Sequence, residues 1–189
     1  DPVFGVASDD THNYTSPTGN ARPGEGWVCV RSASLDAGAL VQAMYRGDFY
    51  ASTGVSLADV VFDEAAGTLR VKVNQEKDMT YTVRFTTTKA GFDRATETFD
   101  DPAKGKKPAR TGIRYSDAIG KTVKTDTGVE ASYTLEPDDL YVRATVISSK
   151  KAGNRANNEP EYETAWTQPY GWRAWQARNP VKARLAPKK

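Results

Sequence analysis

From residue 55 onward, apolar and polar side chains alternate with a period of two residues. The alternation is clearest in LRVKV at residues 69–73 and in YTVRFT at residues 81–86. Related runs occupy residues 57–62, 129–135, 140–147 and 164–168, and polar turns at 63–67 and 136–139 separate several of them. This pattern is typical of antiparallel strands with one face in water. It predicts a mainly β chain whose residues 55–172 form an Ig-like β-sandwich.

The first 54 residues have a different organisation. Apolar runs at residues 3–7 and 27–30 predict two strands, with a polar, Gly/Pro-rich loop at 8–26 between them. Ser34 is a candidate N-cap for a helix over residues 35–46, and Gly47 follows as a stop signal. The expected order is strand, loop, strand, helix. Because a chain rarely opens on a core strand, we also expect protein upstream of this segment.

Composition excludes several classes of protein. The chain has one His, which excludes a self-contained His-rich metal site, and one Cys, which excludes an intramolecular disulfide. The net charge is +2, so the chain as a whole is not a polyelectrolyte for nucleic acid. The sequence contains no run of about 18 apolar residues, so it predicts no membrane-spanning helix. Cys29 lies within an apolar run, where a buried and inert thiol is the usual outcome, and the composition leaves the compartment open.

Two basic segments support a weaker hypothesis, the binding of nucleic acid or another phosphate-rich partner. Residues 104–110 form a basic loop inside residues 90–124, which are the hardest part of the sequence to interpret, and residues 173–189 form a basic tail without acids. Such segments can bind phosphate-rich partners in a salt-dependent way. A solvated loop and terminus explain them as well, and we expect no nucleic-acid partner.

One short motif carries the chemistry of a metal site. Asp9, Asp10 and His12 follow the predicted strand at residues 3–7 directly. Carboxylate oxygen and imidazole nitrogen suit zinc, manganese or iron, and Asp9 could orient His12 as an outer neighbour. Two ligands do not make a site, and a loop in which Asp10 caps a turn is the alternative.

Four segments together resemble the PHP (polymerase and histidinol phosphatase) metallohydrolases, in particular their carbaryl-hydrolase-like branch. Residues 5–13, GVASDDTHN, are similar to the strand and Asp-x-His segment that close the barrel of that superfamily. GEGWVCV at 24–30 and AMYRGDFYASTG at 43–54 resemble its next strand and helix end. YVR at 141–143 and AWTQP at 165–169 resemble the closing strands of its C-terminal β-domain.

The resemblance implies a distorted (β/α)7 barrel with a multinuclear zinc or manganese site and phosphoesterase-like hydrolysis of a small-molecule ester. Asp10 and His12 match the motif and would be metal ligands, Asp9 would be their neighbour, and Arg22 and Glu25 would line the mouth of the site. The other ligands of the family lie upstream of its last strand and have no counterpart here. The chain would therefore be a barrel remnant (1–54), a β-sandwich (55–172) and a basic tail (173–189), inactive without the missing barrel in the same polypeptide or a partner chain.

This interpretation predicts exposed apolar surface on residues 1–47, where the barrel is missing. The competing hypothesis is a β-sandwich that binds carbohydrate or protein through an aromatic cluster: Trp166, Tyr170, Trp172 and Trp175. Exposed and coplanar rings would favour it, whereas buried rings would oppose it. The hydroxyls of residues 50–54 have no base nearby in the sequence, so we expect a connection between the two parts there rather than a nucleophile.

Overall fold

A computed structural model describes residues 3–9, 11, 14, 23–101, 110–153 and 161–178 of the chain. Eleven strands and two helices lie within these residues. In chain order they are β1 (Trp27–Val30), α1 (Ala37–Arg46), β2 (Phe49–Ser52), β3 (Leu57–Asp63), β4 (Thr68–Val73), β5 (Tyr81–Thr87), β6 (Thr96–Asp101), β7 (Arg110–Tyr115), β8 (Lys121–Thr127), β9 (Glu130–Thr134), β10 (Arg143–Lys151), β11 (Tyr162–Thr167) and α2 (Trp172–Arg178).

The strands form three antiparallel sheets. The largest has six strands in the order β1-β2-β11-β10-β5-β8, the second has the order β3-β4-β9, and β6 pairs with β7 alone. The sheets fit the expectation of a mainly β chain. Because β2 pairs with β11, the six-stranded sheet contains strands from both sides of the expected boundary at residue 54.

One apolar core joins the two larger sheets. Phe85 and Val146 of the six-stranded sheet and Leu69 and Val71 of the three-stranded sheet belong to the same buried cluster. Burying a side chain of this size stabilises the fold by about 1.5–3 kcal/mol relative to leaving it in water. The two-layer arrangement is compatible with a β-sandwich.

The N-terminal segment differs from the prediction. Residues 3–9 form no strand, and Val3 and Val6 are 84% and 63% exposed. The apolar run predicted burial on both faces, but no sheet or helix among the described residues covers these two side chains. The segment is held in another way, through the backbone of Gly5 and the side chain of Gln168.

The predicted helix is present with a different cap. It begins at Ala37 rather than at residue 35, and Asp36 instead of Ser34 is the N-cap, because its Oδ1 accepts the amide proton of Ala39 at 3.0 Å. Ser34 donates its hydroxyl proton to Asp36 and supports the cap from outside. Gly47 ends the helix at φ 83°, as predicted, in the left-handed conformation that glycine adopts most easily.

The structure also contains elements that the alternating pattern did not predict. Strand β2 occupies most of residues 50–54, which the sequence indicated only as a connection. Within residues 90–124, Phe99 and residues 113–115 suggested edge strands, and the structure has the two-stranded hairpin β6–β7 there. The edge strand β8, which follows and extends to Thr127, was not predicted. Helix α2 begins the segment that the sequence indicated as a basic tail. Within the described residues, neither helix has the length and apolar character needed to cross a membrane.

Candidate functional site

The predicted metal loop is tied together at its two ends. Asp9 accepts the backbone amide proton of Gly24 on its Oδ2 at 2.6 Å, across 15 residues of sequence. Gly26 lies against the backbone of Ser8, where a Cβ atom at position 26 would be 3.1 Å from the Ser8 carbonyl carbon. The two segments therefore run side by side, and the loop leaves and returns at one place.

The hydrogen bond from Gly24 holds the pKa of Asp9 below its usual value, with hydrogen bonds from Thr11 in the same direction. Asp9 is therefore ionised at neutral pH. This carboxylate is already engaged by the backbone of the loop. Its contact fixes the start of the segment that carries Asp10 and His12.

Asp10, His12 and Arg22 lie outside the described residues, whereas Glu25 is described and half-buried. Among the described residues, no three His, Cys, Asp or Glu side chains form a group able to hold a metal ion. One carboxylate and one imidazole from Asp10 and His12 are chemically suited to zinc or manganese. Further ligands would have to come from outside the part of the chain that the structure describes.

Two hydrogen bonds hold the N-terminal segment against the end of β11. Gln168 is 1% exposed. Its Oε1 accepts the amide proton of Gly5 at 2.9 Å, and its Nε2 donates to the Gly5 carbonyl, also at 2.9 Å. The amide side chain thus bonds Gly5 as a neighbouring strand would. Phe4 adds an edge-to-face contact with Phe49, with ring centroids 6.1 Å apart.

Several apolar side chains near the N-terminus have no cover among the described residues. Leu35 is 94% exposed, and Val41 and Tyr45, one turn apart on α1, are 48% and 75% exposed. The opposite side of α1 packs inward through buried Ala43. A helix with apolar side chains on two sides is typically covered on both. Together with Val3 and Val6, these residues form what we call the N-terminal apolar set.

A cleft of about 510 Å³ opens between β1 and β3. The Arg31 guanidinium and the Asp59 carboxylate form an ion pair across it at 2.5 Å. Phe62 and Tyr170 stack in its wall with centroids 5.7 Å apart, and burial raises the pKa of the Tyr170 hydroxyl. No sequence signal indicated this cleft, because it forms between strands that are distant in sequence.

Cys29 and Tyr50 line the inner wall of the same cleft. The Tyr50 hydroxyl oxygen accepts the amide proton of Leu57 at 3.0 Å, which joins β2 to the start of β3. Burial, and then the hydrogen bond with Cys29, raise the pKa of Tyr50. Both Tyr50 and Tyr170 are therefore neutral at physiological pH.

The hydroxyl groups at the end of β2 and in the turn that follows form hydrogen bonds within the chain. Ser52 Oγ donates to the Val55 carbonyl at 2.7 Å and accepts the Gly54 amide proton at 3.0 Å. Thr53 Oγ1 accepts the Thr164 amide proton at 3.0 Å. These bonds close the turn between β2 and β3, and none of them involves a base that could activate Ser52 as a nucleophile.

The aromatic cluster does not form an exposed platform in the described part of the chain. Trp166 and Trp172 are both half-buried, and the side chain of Trp175 lies outside the described residues. The Arg173 guanidinium lies 4.6 Å from the centroid of the Trp172 ring and covers it. Most of the basic loop, residues 102–109, and the end of the tail, residues 179–189, also lie outside the described residues.

Comparisons with known proteins give no relative: no family model matches the chain, and no curated protein or solved structure is similar to it.

Proposed function

We propose that the chain is the C-terminal portion of a PHP-type, metal-dependent hydrolase, with a barrel remnant at its N-terminus and an Ig-like accessory β-domain. It would contribute the metal ligands Asp10 and His12 and would be inactive without the barrel that carries the other ligands. The support from the sequence is the ordered set of four matching segments between residues 5 and 169.

The single observation that carries the proposal is the N-terminal apolar set. Val3 and Leu35 are 84% and 94% exposed, and Val6, Val41 and Tyr45 are exposed as well; exposed apolar side chains that lie together would support a covering neighbour. Burial against a neighbouring part of the protein would stabilise each of them by about 1.5–3 kcal/mol. Val3 and Val6 shortly precede Asp10 and His12 in sequence, so a barrel that covered these two valines would also approach the proposed ligands.

The contact of Asp9 supports the roles that we propose for the site residues. The Asp9–Gly24 bond anchors the loop, so that Asp10 and His12 would be presented from a fixed point. Glu25 follows Gly24 directly and, with Arg22, would line the mouth of the site. Bound zinc or manganese would supply Lewis-acid activation of water and of a small phosphoester or related ester.

Intact mass and metal analysis of the protein isolated from its natural source tests this proposal. We expect bound zinc or manganese, and either a polypeptide longer than this chain or a tightly associated barrel chain. We also expect the purified 189-residue chain to bind these metals weakly and to leave p-nitrophenyl phosphate intact. Several tightly bound metals and full hydrolytic activity in the isolated chain would refute the proposal.

A further inference from the structure

The cleft between β1 and β3 has an aromatic wall. Phe62, Tyr170 and Trp172 line it, and all three side chains are half-buried. Phe62 and Tyr170 stack with their ring centroids 5.7 Å apart, which packs Tyr170 against β3. Aromatic side chains that stay partly in contact with water offer a large apolar surface for binding. The cleft therefore presents a surface on which a flat apolar group of a ligand can pack.

Two ion pairs line the same cleft. Arg31 Nη2 lies 2.5 Å from Asp59 Oδ1. Arg46 Nε lies 2.7 Å from Asp48 Oδ2. The four side chains are between 43% and 62% exposed. Within the described residues, each pair uses one guanidinium nitrogen and one carboxylate oxygen, so further donors and acceptors remain side by side for a ligand.

The hydroxyl group of Tyr170 adds a neutral polar group to the cleft. Burial raises the pKa of Tyr170, and Arg31 and Asp48 act on it more weakly and in opposite directions. The hydroxyl therefore lies within reach of both signs of charge. No hydrogen bond joins it to another described residue, although a hydroxyl can donate one hydrogen bond and accept two. It is a further group that a ligand can use.

Two backbone amides of β3 are already used within the chain. The Leu57 amide donates to the Tyr50 hydroxyl at 3.0 Å, and the Val60 amide donates to Asp59 Oδ1 at 2.9 Å. An extended peptide that joined the edge of β3 would need free backbone groups along the strand. We therefore favour a ligand that the side chains of the cleft recognise over an added strand.

The formal charges of the described lining residues cancel. Three basic and three acidic side chains line the cleft: Arg31, Arg46, Arg173, Asp48, Asp59 and Glu64. An anionic ligand would meet the carboxylates and a cationic ligand the guanidinium groups, so neither charge is favoured. A sugar hydroxyl can donate to a carboxylate and accept from a guanidinium at the same time. The C–H face of a sugar ring, in turn, packs on aromatic rings, so an uncharged sugar matches both kinds of surface.

We propose that this cleft binds an uncharged mono- or disaccharide, with the sugar ring against Tyr170 and Trp172 and its hydroxyls hydrogen-bonded to the two ion pairs. The volume of about 510 Å³ lies within the range of small-molecule sites. Tyr170 and Trp172 belong to the aromatic cluster that the sequence suggested for carbohydrate binding, and the fold brings charged side chains from distant strands beside them. This proposal does not rest on the hydrolase assignment.

Titration of the 189-residue chain with sugars, followed by NMR spectra of the backbone amides, tests the proposal. The probes are glucose, galactose, mannose, N-acetylglucosamine, maltose and cellobiose. We expect at least one of them to shift the amide signals of Arg31, Asp59 and Tyr170 in a saturable way, with a Kd of about 1 mM. If no probe shifts these signals at about 50 mM, fifty times that Kd, the proposal is overturned.

Variants of the cleft test the contacts. Tyr170→Phe keeps the ring and removes the hydroxyl, and we expect it to weaken binding of the responsive sugar about tenfold. Arg31→Met should weaken binding at least as much. Arg84→Met, at an exposed position of β5 outside the cleft, is the matched control and should leave the affinity unchanged. The spectra without sugar show whether each variant is folded, and native affinity in both cleft variants would contradict the assignment.

Glucose 6-phosphate and glucosamine test the charge argument without any variant. Because carboxylates and guanidinium groups line the cleft together, neither charged sugar should bind more tightly than the best uncharged probe. Tighter binding of glucose 6-phosphate would assign the cleft to an anion, and tighter binding of glucosamine would assign it to a cation. Either result would overturn the proposal of an uncharged ligand.

Discussion

The buried side-chain amide of Gln168 makes two hydrogen bonds to the backbone of Gly5, one to its N–H and one from Nε2 to its carbonyl, both at 2.9 Å. These residues are 163 positions apart. A single side chain therefore connects the segment before the predicted metal loop to the end of β11. The position of residues 3–9 therefore depends on the end of β11 and not only on their own sequence.

Replacing Gln168 should release the N-terminal segment. For Gln168→Met, which keeps the size of the side chain but loses both bonds, we expect a loss of about 1–3 kcal/mol in the free energy of unfolding. Hydrogen exchange at Gly5 should become fast in the variant. Gln42→Met, at an exposed position of α1, is the matched control and should change little. Unaltered exchange at Gly5 in Gln168→Met would show that the segment is held by other contacts.

Gly54 should not tolerate a side chain, because the Glu163 side chain occupies the place of its Cβ. For Gly54→Ala we expect a destabilisation of about 1–3 kcal/mol from overpacking, measured by chemical denaturation. Glu163→Ala added to Gly54→Ala should restore part of this loss, so the two changes should be clearly non-additive. Gly153→Ala, with open space around the new Cβ, is the control. Simple additivity would contradict the proposed contact.

The cap of α1 should depend on Asp36 more than on Ser34. Asp36→Ala should cost about 1 kcal/mol, because the amide of Ala39 loses its acceptor. Ser34→Ala removes only the hydroxyl that supports the Asp36 carboxylate and should cost less. Thermal unfolding of the two variants decides between them, and a larger loss in Ser34→Ala would restore Ser34 as the cap that the sequence suggested.

Lys89 should stabilise the turn before β10 in a pH-dependent way. Its Nζ lies 2.9 Å from a carboxylate oxygen of Asp139, which is 1% exposed. Although burial acts to lower it, hydrogen bonds to Glu136, Asp138 and Asp139 hold the pKa of Lys89 above its usual value. Lys89→Met should cost about 1–3 kcal/mol, because Asp139 is left buried without its cation. Lys72→Met, which breaks an exposed pair with Glu130, should cost much less, because water and salt screen exposed charges.

The sign of the pH effect follows from these shifts. A raised pKa of Lys89 gives stability that is complete below about pH 10.4 and is lost as the pH rises above it. The hydrogen bond from Lys89 lowers the pKa of Asp138, and that contribution is present above about pH 3.9 and is lost as the pH falls. The stability difference between the native chain and Lys89→Met should therefore be largest between these limits. A difference that does not vary with pH would argue against the ion cluster.

The alternating pattern was enough to predict β3, β4, β5, β9 and β10, because each buries one face and exposes the other. It failed for β2, in which Phe49, Ala51 and Ser52 are all buried and no alternation results. It failed again for β8, an edge strand of mostly exposed residues that has no apolar face to reveal it. The opposite error occurred at residues 3–7, where an apolar run is exposed in the described part of the chain.

For the candidate site, too, the sequence predicted some features and missed others. The contact of Asp9 with Gly24 was not predicted, and the predicted role of Asp9 as a neighbour of His12 stays a prediction. The cleft beside Cys29 could not be predicted, because it depends on the number of strands in each sheet. The roles of Asp10 and His12 stay predictions, because both residues lie outside the described part of the chain.

The metal content of the complete natural protein, compared with its His12→Ala variant, tests the central claim most directly. We predict that the native protein carries zinc or manganese and that His12→Ala loses metal and hydrolytic activity together. The control Asp9→Asn should keep both, since an amide oxygen can still accept the Gly24 amide proton. A His12→Ala protein that folds and retains the full native complement of metal would contradict the assignment.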